Sequence, residues 1–424
     1  MDQSSAQPPV LIRNVRVFDG VSDRLSDVRA VYLEDGLIAE EPERLDPGAV
    51  VVDGGGRVLM PGLTDAHVHL FAAGATMPEM LFAPTGVLYY KALAEAQQML
   101  MRGFTTVRDM GGDTTCLRQV FDAGLFPGPR IYPSQAAISQ TSGHGDFSDV
   151  HQAATLFGGV PSRAETLSFM RVVDGPERIL TAVREQLKHG ATQIKLMAGG
   201  GVTSAYDPLD TLQFTQEELH AAVRAAADWG TYVSVHVFTS DGVRRAVDAG
   251  VKSIEHGQLA DEETIAHLAR KGVWLSTQPL LESDHTFDSA DSTAKNRLVC
   301  DGVPRTLGWA RAHGVKLAFG TDFLLDPASA PKQGETLTRL ATQFGFSPVE
   351  TLRIATSGNA ELFRLCGERD PYRRAPLGVI RPGAWADLLV VDGDPTSDIT
   401  LLADPEANLS LIVKGGRIHK NRLG

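Results

Sequence analysis

The sequence predicts an α/β protein, a (β/α)8 TIM barrel carrying a small composite β-sandwich built from both ends of the chain. Two patterns predict it. In the middle of the chain, short apolar runs rich in β-branched residues alternate with longer alanine-rich stretches, the signature of parallel βαβ units. At both ends the texture changes to short alternating strands joined by glycine turns.

The N-terminal part, 1–60, reads as VLIRNVRVFDG followed by VRAVYLEDGLIAE, with Asp35-Gly36 as a two-residue hairpin turn. The barrel, 61–376, takes eight strands. They are GLTDAHVHL from Gly62, FTTVRDM from Phe104, RIYPSQAAI from Arg130, QIKLMA from Gln193, YVSVHVF from Tyr232, KSIEHG from Lys252, VWLSTQP from Val273 and KLAFGTD from Lys316. Helical stretches such as TAVREQLKHG and DGVRRAVDAG end in glycine, as helix C-termini prefer. The C-terminal part, 377–424, returns to strands in GVIRPGAWADLLVVDGD and in LSLIVKGGRIHKN, which turns at Gly415-Gly416. A doubly wound open sheet is the alternative architecture. The irregular stretch from Ser139 to Gly175 exceeds the ~12–15 residues of a passive loop, so it is expected to fold over the barrel mouth.

A formal charge of -12 disfavours a nucleic-acid partner, which usually meets a basic surface, and favours a small-molecule ligand. No apolar run approaches the ~20 residues of a membrane span, and MDQSSAQPPV lacks the pattern of a secretory leader, so a cytoplasmic protein without a membrane partner is expected. Cys116, Cys300 and Cys366 lie far apart with no CxxC pair and are expected as buried thiols. A homo-oligomer is the expected assembly.

His67, His69, His236 and His256 all fall at or near the carboxyl ends of predicted strands, where barrel enzymes keep their chemistry. His67 and His69 are two apart and share a face of their strand, so both can reach one ion. Each histidine alone is more simply read as a hydrogen-bonded core or loop residue. Together they converge on one mouth, and that convergence favours metal. Asp322 closes KLAFGTD, where it could ligate an ion and take a proton from an attacking water, or instead cap a following helix. Lys195 sits between apolar neighbours in QIKLMAGGG. A desolvated amine is more readily neutral and can add CO2, and the resulting carbamate could bridge two ions ~3.5–4 Å apart. A Schiff-base lysine and a surface lysine remain open alternatives.

PGLTDAHVHL, GFTTVRDMGG, GPRIYPSQAAISQTSGHGD, QIKLMAGGGV, IEHG and LAFGTD resemble the amidohydrolase superfamily over nearly the whole chain. The likeness is greatest to its imidazolonepropionase-like branch, with Xaa-Pro dipeptidase-type carboxypeptidases and ochratoxin-degrading amidases. The resemblance implies that His67, His69 and Asp322 hold the more buried of two ions, that His236 and His256 hold the other, and that carboxylated Lys195 bridges them. It also implies the composite β-sandwich. His144 in TSGHGD looks like a histidine that relatives place near the substrate carbonyl, and Tyr206 lies where relatives recruit substrate contacts; bonding within a loop is the alternative for each. Where some relatives carry HxH on the fifth strand, VSVHVF has Phe238, which suggests an apolar wall and an aromatic or apolar group on the substrate.

The implied reaction is hydrolysis of an amide-type C–N bond, in a dipeptide or N-acyl amino acid, by hydroxide from water activated at two divalent ions, zinc by expectation. Asp322 then serves as proton acceptor and donor. Hydrolysis of a urea, carbamate, cyclic amide or lactone at the same centre is the runner-up. A Schiff-base lyase using Lys195 and an inert metal-binding scaffold are the non-hydrolytic rivals.

Overall fold

A computed structural model describes residues 7–204 and 206–423. Eight strands form one terminal sheet. Five come from the start of the chain (Val10–Val17, Arg29–Glu34, Leu37–Ala39, Val50–Asp53 and Val58–Pro61) and three from its end (Leu388–Val391, Leu409–Lys414 and Arg417–Asn421). The two ends meet where Val58–Pro61 pairs antiparallel with Leu388–Val391. Both expected hairpin turns form. Asp35 and Gly36 have φ of 51° and 79°, Gly415 and Gly416 of 56° and 75°, the left-handed pair a tight hairpin needs.

Strand alternation gives this sheet two buried faces. Leu388, Val390, Leu411 and Val413 pack with Val10, Ile12 and Val31, while Leu389, Val391, Leu409 and Ile412 face the other way, onto Leu100 and Phe104 of the central body. Gly103, at φ 92°, sits under Leu409, whose Cδ1 would lie 2.9 Å from an added Cβ.

The central body consists of parallel strands in two sheets. Leu63–Val68, Phe104–Asp109 and Arg130–Pro133 form one. Ala137–Ser139, Ile194–Met197, Val233–Thr239, Ser253–Leu259, Trp274–Thr277 and Leu317–Phe319 follow in that order in the other, with Met170–Val172 added at its edge. All eight expected runs are therefore strands, but the third is divided. Gln135, at φ 61°, turns the chain, so that its first half pairs with the second run and its second half with the fourth.

Side chains join the last run to the first. Asn359 Nδ2 donates to the carbonyls of Thr64, at 3.1 Å, and Phe319, at 2.9 Å. Thr321 donates through its backbone and its hydroxyl to Asp65, and Asp322 N–H donates to His67 O at 2.7 Å. Helices pack outside the strands; those at Gln216–Ala227 and Glu262–Lys271 start at Thr215 and Asp261, whose side chains accept from the third residue of the helix. Of the cysteines only Cys366 is fully buried; Cys116 and Cys300 are half-buried, and all three are free thiols. Among the described residues no helix is long and apolar enough to cross a membrane.

Candidate metal centre

Three ligand-type groups from three separated strand ends, His67, His256 and Asp322, bring one ligand atom each within 4.8 Å of one another. Asp322 Oδ1 lies 3.3 Å from His67 Nε2 and 3.1 Å from His69 Nε2, and its Oδ2 lies 3.9 Å from His256 Nδ1. The His236 ring stands 4.4 Å from that of His256, centroid to centroid, and 4.2 Å from that of His144, on which it stacks. Lys195 is 1% exposed on the fourth run, paired in register with Ser234.

The backbone is bent to achieve this. His256 and Asp322 both have positive φ, 79° and 59°, a conformation uncommon outside glycine that Asp and His tolerate better than most residues. Asp322 begins no helix; the next one starts at Ala330, so its capping alternative is not realised. Gly320 leaves room for His67: a Cβ there would come within 2.8 Å of the His67 backbone nitrogen.

Burial determines the charge states. It pushes His67 down to about 4 and His256 to about 3, and it drives His236 well below its ordinary value, with nearby His144 adding to the effect. All three are neutral imidazoles with lone pairs to offer. Burial lowers the Lys195 amine to about 8, against the pull of Glu255 and Asp322. Asp322 titrates as one cluster with its neighbours. Burial opposes its ionisation, but it takes up a proton only after His67 and His256 have, and with a hydrogen bond to His69 this holds it well below its ordinary value.

Behind these groups stands a layer to which the sequence reasoning gave no role. Glu255 accepts from His67 Nδ1 at 2.9 Å and from Ser253 at 2.6 Å, and also from Ser234. Arg108 donates to both Glu255 oxygens at 2.8 and 2.9 Å, to Ala66 O at 2.6 Å and to Tyr232 at 3.1 Å. The effect is to fix His67 with Nε2 forward, and that atom is buried without a hydrogen-bond partner. A carboxylate behind a ligating imidazole is the usual second layer of a metal site. Gln278 plays the same part for His256, 2.8 Å from Nδ1. The available signal was a charged residue inside an otherwise buried strand: Arg108 in FTTVRD, Glu255 in SIEHGQL. The donor set therefore fits a divalent ion: neutral imidazoles, a carboxylate and an orphaned buried nitrogen.

The irregular stretch 139–175 does reach the centre. Phe169 lies edge-on to His69 at 6.0 Å, and His144 is held over His236 by Ser204, 2.7 Å from its Nδ1, and by Gln213, which accepts from its backbone. Phe238 packs edge-on to His236 and 5.1 Å from His256. Tyr206 is half exposed on the rim of a cavity of about 200 Å³ that Asp146, Val150 and Glu165 also line.

Residues 58–418 match the amidohydrolase family. An ochratoxinase from Aspergillus niger is 33% identical over 388 residues, covering 86% of this chain and 76% of that protein. Among solved structures, a prolidase complexed with N-methylphosphonate-L-proline superposes with a TM-score of 0.87 at 34% identity, over 97% of this chain and 100% of the other. A Xaa-Pro dipeptidase with bound methionine gives 0.82 at 28%, again over 97% and 100%. The protein belongs to the amidohydrolase family. It is a metal-dependent hydrolase acting on C–N bonds.

Proposed function

We propose that this chain is a binuclear amidohydrolase that cleaves the amide bond of a dipeptide or N-acyl amino acid. In this reading the two parallel sheets close into one (β/α)8 barrel over 61–376, and 1–60 and 377–424 make the sandwich. His67, His69 and Asp322 would hold one ion and His236 and His256 the other, and Lys195, carboxylated on its amine, would serve both. The observation that carries it is His67 Nε2, buried, unpartnered and aimed toward Asp322, with Glu255 bonded behind it.

When bound, divalent ions, zinc by preference, supply Lewis acidity that activates a water and polarises the scissile carbonyl. The protein's own groups do the rest. Asp322 takes the proton of the water and hands it to the leaving amine. His144, its Nδ1 engaged by Ser204, presents its other nitrogen to the carbonyl oxygen as negative charge develops there. Phe238 offers an apolar wall beside His236 and His256, suited to an aromatic or aliphatic substituent, and Tyr206 contacts the far end of the substrate. The resemblance to a prolidase, a Xaa-Pro dipeptidase and an ochratoxinase supports the choice of amide over urea, carbamate, cyclic amide or lactone.

The test is metal analysis combined with turnover of dipeptides, N-acyl amino acids, aryl ureas and lactones by the metal-loaded protein. Two ions per chain and preferred cleavage of the first two classes are expected. Lys195→Ala should lose one ion and activity together, with partial recovery in added short carboxylates. Full activity in that variant removes Lys195 from the bridge, and preferential lactone or urea cleavage overturns the substrate class.

A further inference from the structure

A second cavity, of about 610 Å³, lies at the other end of the parallel strands. The metal candidates stand at strand carboxyl ends, whereas Arg130 opens the third run from its amino end and lines this cavity. Apolar surface comes from Phe126, half exposed, and from Trp385, while Phe121 and Tyr372 in the same wall are buried. Trp385 is fixed: its indole N–H donates to Tyr372 O at 2.8 Å, and the Arg130 guanidinium lies 3.9 Å from its ring centroid.

Three further basic side chains line the same cavity: Lys414, Arg417 and His419, all from the hairpin around Gly415-Gly416. The carboxylate nearest to hand is already engaged. Asp387 accepts from Arg130 at 2.7 and 3.1 Å and from the Gly415 backbone at 2.7 Å. Asp122, also in the wall, accepts from the Tyr372 hydroxyl at 3.1 Å. Among the described residues, Lys414, Arg417 and His419 form no ion pair. Burial and the neighbouring Arg130 lower Lys414 to about 8, and burial with Lys414 and Arg417 lowers His419 to about 4. His419 is neutral at pH 7, Lys414 is half-buried and Arg417 exposed. Three cations, Arg130, Lys414 and Arg417, therefore face the two carboxylates Asp387 and Asp122, and the surplus positive charge falls on Lys414 and Arg417, where an entering anion would be paired. The hydrolytic reaction uses none of these residues.

We infer that this cavity binds a small organic anion with a flat apolar body, an aryl carboxylate or aryl phosphate, its charged end between Lys414 and Arg417 and its ring against the aromatic wall. Titration calorimetry of the metal-loaded protein with phenyl phosphate, benzoate and inorganic phosphate tests this. Saturable binding of an aryl anion is expected, with inorganic phosphate about tenfold weaker for want of the ring contact. The tighter of phenyl phosphate and benzoate identifies the head group. Lys414→Met and Arg417→Ala should each weaken binding about tenfold, leaving kcat and KM unchanged.

No saturation below ~10 mM overturns the proposal, as does unchanged affinity in the double variant with native melting. Competitive inhibition that persists in that variant would place the anion at the metal centre instead. Dissociation of a native oligomer on mutation would make the cavity a subunit contact. Either result sinks the inference.

Discussion

Two buried arginine–carboxylate pairs sit at opposite ends of the parallel strands. Arg130–Asp387 joins the central body to the terminal sheet, with both side chains about 5% exposed, at 6% and 5%. Its carboxylate spends its remaining capacity on the Gly415 backbone, so the cluster is closed on itself. Arg108–Glu255, fully buried, is open at one end: Glu255 passes its charge to His67, whose far nitrogen has no partner. A buried pair in which every atom is satisfied holds elements together; one whose chain of bonds ends on an orphan is arranged for something to arrive.

Breaking the open pair should have the largest effect. Glu255→Ala strands the Arg108 guanidinium, which typically destabilises by ~3–5 kcal/mol, and frees His67 to rotate, for which a loss of metal affinity of about 10–100-fold is expected. Thermal melting with and without chelator, and metal titration, read the two effects separately. If Glu255→Gln keeps full metal affinity, the charge behind His67 is unimportant and only the hydrogen bond matters.

Breaking the closed pair should be comparably costly to stability and silent for chemistry. Asp387→Ala leaves Arg130 buried without its partner, again ~3–5 kcal/mol, but metal content and kcat/KM per folded molecule should stay as they were. A change in metal content would show that the two ends are coupled and erase the distinction. Gly320→Ala sharpens the contrast from the other side. The new Cβ presses on the His67 backbone, displacing the ligand at a stability cost of ~1–3 kcal/mol, while a misplacement of about 1 Å can cost 10²-fold in turnover. Retained turnover would mean that the loop yields without moving His67.

The same contrast separates what the sequence made legible from what it did not. Strand periodicity, glycine turns and histidines at strand ends are local signals, and all eight runs and both hairpins form where those signals lie. The convergence of His67, His256 and Asp322 was readable because a parallel array places strand ends together. The division of the third run was not, because it depends on Gln135 adopting a left-handed conformation that only the flanking strand pairings select. Nor was the layer behind the imidazoles. Arg108 and Glu255 are 147 positions apart, and nothing local marks them as partners. Asp387 is 257 positions from Arg130, so while an apolar strand could flag Arg108 and Glu255 as buried charges, the partner of neither arginine could be named until the chain had folded.

The smallest expected effect concerns the cationic cavity beside the closed pair. His419 has an unfolded-state value of 6.5 and is lowered to about 4 by burial, with Lys414 and Arg417 adding repulsion and Asp387 opposing it. Between those values the unfolded chain binds the proton more readily than the folded one, so the contribution of His419 to stability is complete above about pH 6.5 and is lost as the pH falls toward 4. Lys414, lowered from 10.5 to about 8 by burial, with Arg130 and Arg417 adding repulsion and Asp387 and Asp122 opposing it, works in the same sense at higher pH: its unfolded form holds the proton longer, so stability increases from about pH 8 to 10.5. In buffers without phosphate or carboxylates, His419→Gln should flatten the fall in Tm between pH 6.5 and 4 relative to the parent, and Lys414→Met the rise above pH 8. An identical Tm profile in both variants would mean that these side chains escape to solvent when charged, in which case the hairpin at Gly415-Gly416 imposes no electrostatic penalty for an anion to relieve.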